Sequence, residues 1–167
     1  QAPPGIAYPT GVPDFRGVRD IVTNDGMTCA VQSEVVSCWG VNDEGSLGVY
    51  WGYVPSRATP GGVRDLYSIK SVIAGSEWAC GLDVDSIAYC WGGSMTGFLL
   101  PPRPVSTRKY TALAGGYATL CGRGIDSLAY SGAPAVGAQQ LVTARPRVTK
   151  RAVGSNPPGG IATDRAG

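Results

Sequence analysis

Histidine is absent from this chain of 167 residues, which removes the commonest general base and the commonest transition-metal ligand of proteins. A Ser-His-Asp or Cys-His mechanism therefore cannot be built from this chain alone. Charged residues are also scarce, at 16% against about 25% in a typical soluble domain. With a net charge of +2, the composition gives no reason to expect binding to nucleic acid or to an anionic membrane.

The sequence also lacks the apolar run of about 18 residues that a membrane-spanning helix needs. Glycine and proline, in contrast, are abundant, with 25 and 13 residues. This turn-rich composition, with 43% hydrophobic residues, predicts one all-β domain of many short strands. Gln1 is what we expect at the start of a chain from which a secretory signal peptide has been removed.

A repeated motif organises the chain. Residues 29–40, 80–92 and 121–132 each begin with cysteine, and the first two segments end in Cys-Trp-Gly. Their first cysteines lie 51 and 41 residues apart, so the units differ in loop length around a common core. Self-similarity at such a period is the sequence signature of a repeat architecture.

Each repeat starts with a proline and a short apolar run, which together favour extended backbone. The predicted organisation is an N-terminal arm at 1–12, repeats at about 13–59, 60–103 and 104–145, a fourth-repeat stub up to 155 and a Pro/Gly-rich tail at 156–167. Asn24 stands where Gly75 and Gly115 stand in the later repeats. Because Asn and Gly both tolerate positive φ, a tight turn is predicted at these three positions.

The cysteine motifs are predicted to form β-hairpins. In the first motif two apolar runs flank a polar turn at Ser33-Glu34, which places Cys29 and Cys38 directly opposite each other. Cys80 and Cys90 are arranged in the same way in the second motif. Directly opposed residues have Cα atoms about 4.5–5.5 Å apart, which suits a disulfide. Two structural disulfides are therefore predicted.

The third motif departs from this pattern, because Ser131 stands where the second cysteine should be. Cys121 is therefore predicted to be an unpaired or intermolecular thiol. A zinc site would need close pairs such as C-x₂-C, and a catalytic thiol would need a neighbouring base. Two disulfides predict a secreted or cell-surface protein, whereas the alternative is a set of buried, reduced cysteines in an intracellular protein.

The order of Ala-Gly, Cys-Gly-Leu, a hairpin and Tyr-Cys-Trp-Gly resembles the regulator of chromosome condensation repeat. Residues 42–48, Asn-Asp-Glu-Gly-Ser-Leu-Gly, are similar to that family's Asn-x-x-Gly-Gln-Leu-Gly. The Cys…Cys-Trp-Gly form resembles the extracellular repeats of crinkly-type plant receptor kinases and of secreted proteins like β-lactamase inhibitor protein II. Trp78 stands near the place of a histidine that is common in the family, and the third repeat lacks the tryptophan.

This resemblance implies four-stranded antiparallel blades, usually seven around a central axis, with each repeat donating strands to two neighbouring blades. Trp39 and Trp91 are then expected in the core between blades. Gly40 and Gly92 are expected where two backbones approach closely, as strand-end glycines often do. Three repeats and a stub do not close a ring of seven. Because we find no polar cap in the sequence, we expect the open ends to be covered by further copies or further chain.

The sequence therefore predicts a non-enzymatic, secreted structural or interaction protein, a subunit of a larger extracellular or fibrillar assembly whose partner is itself or another protein. The alternative is a ligand-binding ectodomain or secreted inhibitor, with Tyr50, Trp51 and Tyr53 as an interaction loop. A guanine-nucleotide exchange factor-like propeller is a third interpretation. We predict no catalytic residue, metal or cofactor; O-linked glycans stay open, because no Asn lies in an N-x-[ST] sequon.

Overall fold

The computed structural model describes residues 12, 15–49, 54–93 and 99–132. These residues form three antiparallel β-sheets, and the all-β prediction is confirmed. Sheet 1 contains β1 (Val18–Asn24), β2 (Met27–Gln32), β3 (Val35–Val41) and β4 (Ser56–Gly62), with a 3-10 turn at Asp43–Gly45 after β3. Sheet 2 contains β5 (Ile69–Gly75), β6 (Trp78–Asp83), β7 (Ala88–Gly92) and β8 (Leu99–Pro104). Sheet 3 contains β9 (Tyr110–Gly115), β10 (Leu120–Gly124) and β11 (Ala129–Gly132).

Each sheet is a simple meander in which strands that follow each other along the chain are hydrogen-bonded neighbours. The three sheets are packed side by side like blades, and over the described residues they do not close into a ring. Pro60 lies in β4 and Pro104 ends β8, so the strand that opens one sequence repeat completes the preceding sheet. The sheets and the sequence repeats are therefore out of phase by one strand, as the family resemblance implies.

The predicted hairpin register is confirmed. Cys29 pairs with Cys38 across β2 and β3, and Cys80 pairs with Cys90 across β6 and β7. The first turn consists of Ser33 and Glu34, both with positive φ, as a two-residue turn between twisted strands requires. Glycine and asparagine usually take these positions, and their absence here did not prevent the turn from being located in the sequence.

The tight turn predicted at Asn24, Gly75 and Gly115 is wrong. Asn24 and Gly75 are the last residues of their strands, and the positive φ angles fall on the residues that follow, such as Asp25 and Glu77. Gly75 has another reason to be glycine, because a Cβ there would lie 2.0 Å from the Trp78 indole.

The alignment of Gly75 with Gly115 is also one residue out of register. Gly115 pairs with Leu120 as Ala74 pairs with Ala79, and the residue that corresponds to Gly75 is Gly116. The Gly116 N–H donates to the carbonyl oxygen of Thr119. The turn between β9 and β10 is therefore Tyr117-Ala118. It has two residues, as do the β1–β2 turn (Asp25-Gly26) and the β5–β6 turn (Ser76-Glu77).

The core consists of two apolar layers, one on each side of sheet 2. The layer between sheets 1 and 2 is built mainly from Met27, Cys29, Val31, Val36, Cys38, Ile69, Val72, Ala79 and Trp91. The layer between sheets 2 and 3 contains Trp78, Cys80, Leu82, Ala88, Cys90, Tyr110, Leu120 and Tyr130. Among the described residues, sheet 2 is therefore buried on both faces, whereas sheets 1 and 3 each pack through one face.

Candidate interaction surface

Trp91 joins sheet 2 to sheet 1. Its side chain is fully buried, and its indole N–H donates a 2.9 Å hydrogen bond to the carbonyl oxygen of Ser46 in the loop after the 3-10 turn. Gly92 follows at a φ of +75°, and a Cβ there would lie 2.6 Å from the Glu77 carbonyl oxygen. The backbone therefore passes too closely for any other residue, which is the role that the family resemblance implied for this glycine.

Trp78 makes the equivalent connection from sheet 2 to sheet 3. Its side chain is buried, and its indole N–H donates a 3.0 Å hydrogen bond to the carbonyl oxygen of Tyr117. A Cβ on Gly115 would lie 2.8 Å from the Ala74 carbonyl oxygen, so sheet 3 approaches this tryptophan through a bare backbone. Sheet 2 is thus attached on each side by one tryptophan that donates to a main-chain carbonyl.

A carboxylate adds a polar connection between sheets 1 and 2. Asp20 Oδ2 accepts a 2.8 Å hydrogen bond from the Val72 N–H in β5, and Asp20 Oδ1 accepts one from the Ile21 N–H. Both β1 and β5 have a register shift near these residues. Because β5 is the edge strand of sheet 2, its N–H groups that point away from β6 need another acceptor, and the aspartate supplies one for Val72.

Trp39 is the repeat equivalent of Trp91, but the structure gives it a different environment. It is half-buried, lies outside both apolar layers and contacts Phe15 edge-on, with ring centroids 5.6 Å apart. Across the described residues no acceptor receives its indole N–H. The expectation that Trp39 lies in a core between blades is therefore not met in this structure. Among the described residues no sheet packs against Trp39 as sheet 1 packs against Trp91.

The face of sheet 1 that points away from sheet 2 is called here the front face. It carries Ile21, Thr23, Thr28, Ala30 and Trp39; Ile21 is 60% exposed, whereas Ala30 is fully buried and Phe15 packs against Trp39. The equivalent face of sheet 2 is buried against sheet 1 through Val72, Ala79 and Trp91. Ile21 and Trp39 are therefore less buried than Val72 and Trp91, their counterparts in sheet 2.

The face of sheet 3 that points away from sheet 2 is called here the back face. It carries Ala112, Ala114, Cys121, Arg123, Ala129 and Ser131, which are exposed except for the half-buried Ser131. None of these side chains is apolar and larger than cysteine. Over the described residues this face is therefore polar, which the sequence analysis did not predict. Pairwise register explains why it was missed: β10 and β11 place Arg123 beside Ala129 and Cys121 beside Ser131 only once the hairpin forms.

The structure contains two disulfides, Cys29–Cys38 and Cys80–Cys90, and all four cysteines are fully buried within the apolar layers. Such sulfurs are inaccessible to redox partners, so the bridges act as structural cross-links. Cys121 is free and exposed, and its thiol donates a 3.4 Å hydrogen bond to Ser131 Oγ. It therefore lies at the position of a third bridge that Ser131 does not complete.

A polar cluster stabilises the outer part of sheet 3. The Arg108 guanidinium lies 4.1 Å from the centre of the Tyr130 ring, and it donates a 2.8 Å hydrogen bond to the Tyr130 hydroxyl oxygen. That hydroxyl in turn donates to Asp126 Oδ2. This hydrogen bond favours the charged carboxylate and the neutral phenol, so it lowers the pKa of Asp126 and raises the pKa of Tyr130.

An acidic cleft lies between the β1–β2, β5–β6 and β9–β10 turns and the 3-10 turn. Its volume is about 250 Å³, and its lining includes Asp25, Asp43 and Glu77 beside the exposed Tyr117. Among the described residues that line the cleft, none is a lysine or arginine. A concave surface lined by charges of one sign attracts groups of the opposite sign, such as a lysine or arginine side chain.

Several predicted features lie outside the described residues. They include the loop with Tyr50, Trp51 and Tyr53, the arm at 1–11, the fourth-repeat stub and the tail at 156–167. Within the part of the chain that the structure covers, no group of three or more His, Cys, Asp and Glu side chains could hold a metal ion. The same part contains no helix long and apolar enough to cross a membrane.

Sequence reasoning missed three residues that matter for this surface: Trp78 as a connection between blades, Asp20 as a polar connection and Arg123 as the charge on the back face. Trp78 was noticed only as a substitute for a histidine. A comparison of the three hairpins position by position could have found Arg123, since it takes the place of Val31 and Leu82 two residues after the first cysteine.

No protein-family model and no curated protein matches the sequence. Solved structures do match. Yeast RCC1 (Prp20) bound to Kap60 has a TM-score of 0.62 and 17% identity, over 73% of this chain and 31% of that chain. Human WBSCR16 has a TM-score of 0.63 and 16% identity, over 72% and 34%. The crinkly ectodomain of the Arabidopsis thaliana receptor kinase ACR4 has a TM-score of 0.50 and 20% identity, over 75% and 45%.

The described residues therefore have the fold of RCC1-like β-propeller blades. The matched part of this chain covers between 31% and 45% of the length of these three propellers. One of them is described in complex with another protein, Kap60, and another is the ectodomain of a receptor.

Proposed function

We propose that this chain is a non-enzymatic protein-interaction subunit of an extracellular assembly of propeller-type blades. The observation that carries the proposal is the front face of sheet 1. Ile21 and Trp39 are exposed or half-buried there, whereas Val72 and Trp91 are buried at the equivalent positions of sheet 2. The front face fits a blade whose hairpin has apolar side chains on the side that faces it, as the first and second hairpins have.

The extracellular part of the proposal is supported by the cysteines. Four of the five are paired in two disulfides, which persist in oxidising compartments. The similarity to a plant receptor ectodomain and the Cys…Cys-Trp-Gly form of the repeats agree with this location. The absence of histidine from the whole chain supports a role without catalysis.

The test is the native mass of the purified, non-reduced chain, measured by light scattering across a range of concentrations. We expect a mass above that of one chain, because the front faces of two copies will associate. Intact mass spectrometry of the same sample should find four hydrogens fewer than in the reduced chain. A single-chain mass at every concentration would contradict the assembly, and a fully reduced mass would contradict the extracellular location.

A matched pair of variants identifies the surface involved. Ile21→Glu places a charge on the front face, and Ile125→Glu places the same charge in the β10–β11 turn of sheet 3. The two isoleucines are equally exposed, at 60% and 62%, so neither change should unfold the chain. Ile21→Glu should restore the single-chain mass, and Ile125→Glu should leave the assembly unchanged. Equal effects of the two variants would show that association does not use the front face.

A second function, the capture of a cationic segment of a partner protein, is favoured by the acidic cleft. Asp25, Asp43 and Glu77 line it together with Tyr117, a residue type that is common in interfaces. This function belongs to the ligand-binding ectodomain or inhibitor alternative. If it operates, Glu77→Gln should weaken binding of a lysine-rich peptide at low salt, and the Ile21→Glu variant should bind that peptide as the unmodified chain does.

A further inference from the structure

The three hairpins can be compared position by position on the side that points toward the next blade. In the first hairpin these positions are Cys29, Val31, Val36 and Cys38, and in the second they are Cys80, Leu82, Ala88 and Cys90. All eight side chains are at most 1% exposed. In the third hairpin the same positions are Cys121, Arg123, Ala129 and Ser131. Arginine thus stands where the other two hairpins have valine or leucine. A cysteine-serine pair stands where they have a disulfide.

The arginine is held in place on the back face. Its Nε–H donates a 2.7 Å hydrogen bond to Thr111 Oγ1, and the Thr111 hydroxyl donates a 3.1 Å hydrogen bond to the Arg123 carbonyl oxygen. Thr111 lies at the register shift between β9 and β10, where the extra residue brings its side chain beside Arg123. In the described part of the chain no carboxylate forms an ion pair with Arg123.

A neighbouring blade of the kind seen between sheets 1 and 2 could not pack on this surface without desolvating the guanidinium. An unpaired charge taken out of water is strongly unfavourable, and the small side chains of Ala112, Ala114 and Ala129 offer little apolar area in return. The unpaired Cys121 and Ser131 also leave the hairpin without the cross-link that the other two possess.

We infer that assembly through blades is one-sided: the front face of sheet 1 accepts a propeller-type blade, and the back face of sheet 3 is a polar cap that rejects one. This inference rests on the proposed function for the front face, but the cap is supported independently by Arg123 and Ser131. Head-to-tail stacking of copies, front face onto back face, is therefore excluded, and the occupant of the front face is the front face of a second copy. Repeat arrays generally need such polar ends to stay soluble.

Cys121 gives a direct test of the cap in the native, non-reduced chain. It is the one cysteine outside the two disulfides, so N-ethylmaleimide adds to a single thiol that lies on the back face. In the assembled protein we expect it to react within about tenfold of its rate in the urea-unfolded, non-reduced chain. Protection by about a hundredfold or more would overturn the cap, whatever the native mass is.

A gain of association tests the same inference from the other direction. The double variant Arg123→Leu/Ser131→Cys restores the pattern of the first two hairpins, because residues 121 and 131 are paired across β10 and β11. Its third disulfide should form, and its native mass should be at least about twice that of the unmodified chain, since a front face can then meet a back face. The matched control, Arg123→Lys/Ser131→Cys, should form the same disulfide and keep the mass of the unmodified chain.

The outcomes separate the two proposals. If Ile21→Glu removes the extra association of the double variant, both the front face and the cap are supported. If the extra association survives Ile21→Glu, the cap is supported and the proposed use of the front face fails. If the third disulfide forms in the double variant and the mass does not rise, the cap is overturned, because Arg123 is then not what keeps blades apart.

Discussion

The second hairpin, formed by β6 and β7, and the third, formed by β10 and β11, have the same backbone register but different chemistry. In each, a residue pairs with one ten positions later, Cys80 with Cys90 and Cys121 with Ser131. In the second hairpin the side that points away from sheet 1 is apolar and buried, and in the third it is polar and exposed. The comparison shows that the hairpin keeps its register although one of its sides has changed from apolar to polar.

The two tryptophans of the Cys-Trp-Gly motifs provide the largest test of this comparison. Trp91→Ala should lower the free energy of unfolding by about 3–5 kcal/mol, because a fully buried ring and its hydrogen bond to Ser46 are lost. Trp39→Ala should cost about 1 kcal/mol, because only the contact with Phe15 and partial burial are removed. Urea unfolding of both variants measures the difference, and equal losses would mean that Trp39 has a blade-like partner after all.

The disulfides come next in size. Removal of the second bridge in Cys80→Ala/Cys90→Ala should lower the free energy of unfolding by about 2–4 kcal/mol, since a loop of 10 residues is no longer closed in the unfolded chain. The control is Cys121→Ala/Ser131→Ala, which alters the same pair in the third hairpin and should change the stability by less than about 0.5 kcal/mol. Denaturant titration under non-reducing conditions compares them, and a large effect in the control would show that the back face is packed.

A smaller effect is expected at the glycine under Trp78. Gly75→Ala should lower the free energy of unfolding by about 1–3 kcal/mol, because the added Cβ would lie 2.0 Å from the indole and displace the connection to Tyr117. Gly62→Ala is the matched control, since nothing lies within 4 Å of a Cβ there. Near-ultraviolet circular dichroism should report the displaced tryptophan in the first variant and an unchanged spectrum in the second.

The smallest effect is a pH dependence confined to sheet 3. The folded-state pKa of Asp126 is below the ordinary value of 3.8, chiefly because the Tyr130 hydroxyl donates to it. Its contribution to stability is therefore present above pH 3.8 and is lost as the pH falls through the lowered pKa. Hydrogen exchange of β10 and β11 amides should speed up over that interval, and in Asp126→Asn the same acidification should have no such effect. Loss of protection in all three sheets together would contradict a local origin.

The raised pKa of Tyr130 acts at the opposite end of the pH range. The Asp126 carboxylate keeps the phenol neutral, so this contribution is present below pH 10 and is lost as the pH rises through the raised pKa. Ultraviolet titration of the phenolate in the unmodified chain and in Tyr130→Phe identifies this group. If the phenol that is lost in Tyr130→Phe titrates with the ordinary pKa of 10.0, the hydrogen bond to Asp126 is not formed in solution.

Much of the local structure could be predicted because it depends on neighbours along the chain. The turn at Ser33-Glu34 and the pairing of Cys29 with Cys38 depend only on the spacing of two apolar runs, and both predictions are confirmed. The propeller-type fold could be recognised for the same reason, since each hairpin repeats one local pattern. Gly75 and Gly115 were aligned incorrectly because an Ala-Gly dipeptide carries no information on which strand residue it opposes.

The candidate site was predicted less well, because it depends on which residues meet between sheets. Nothing in the sequence around Trp39 and Trp91 distinguishes them, as both stand in a Cys-Trp-Gly motif. Their difference lies in the neighbour, sheet 1 for Trp91 and Phe15 for Trp39. In the same way, Arg123 and Ser131 are eight residues apart and form one polar surface only when β10 and β11 pair.

The sequence by itself determined the all-β class, the hairpins, the register of the cysteine pairs and the propeller-like repeat, because strand alternation and turn length are local properties. Only the tertiary structure decided which faces of the three sheets are buried. Burial depends on what lies opposite a face, and residues 39 to 52 positions away along the chain supply that neighbour. Among the described residues sheet 2 has a neighbour on both sides, and for that reason the surface proposed to accept a blade is on sheet 1.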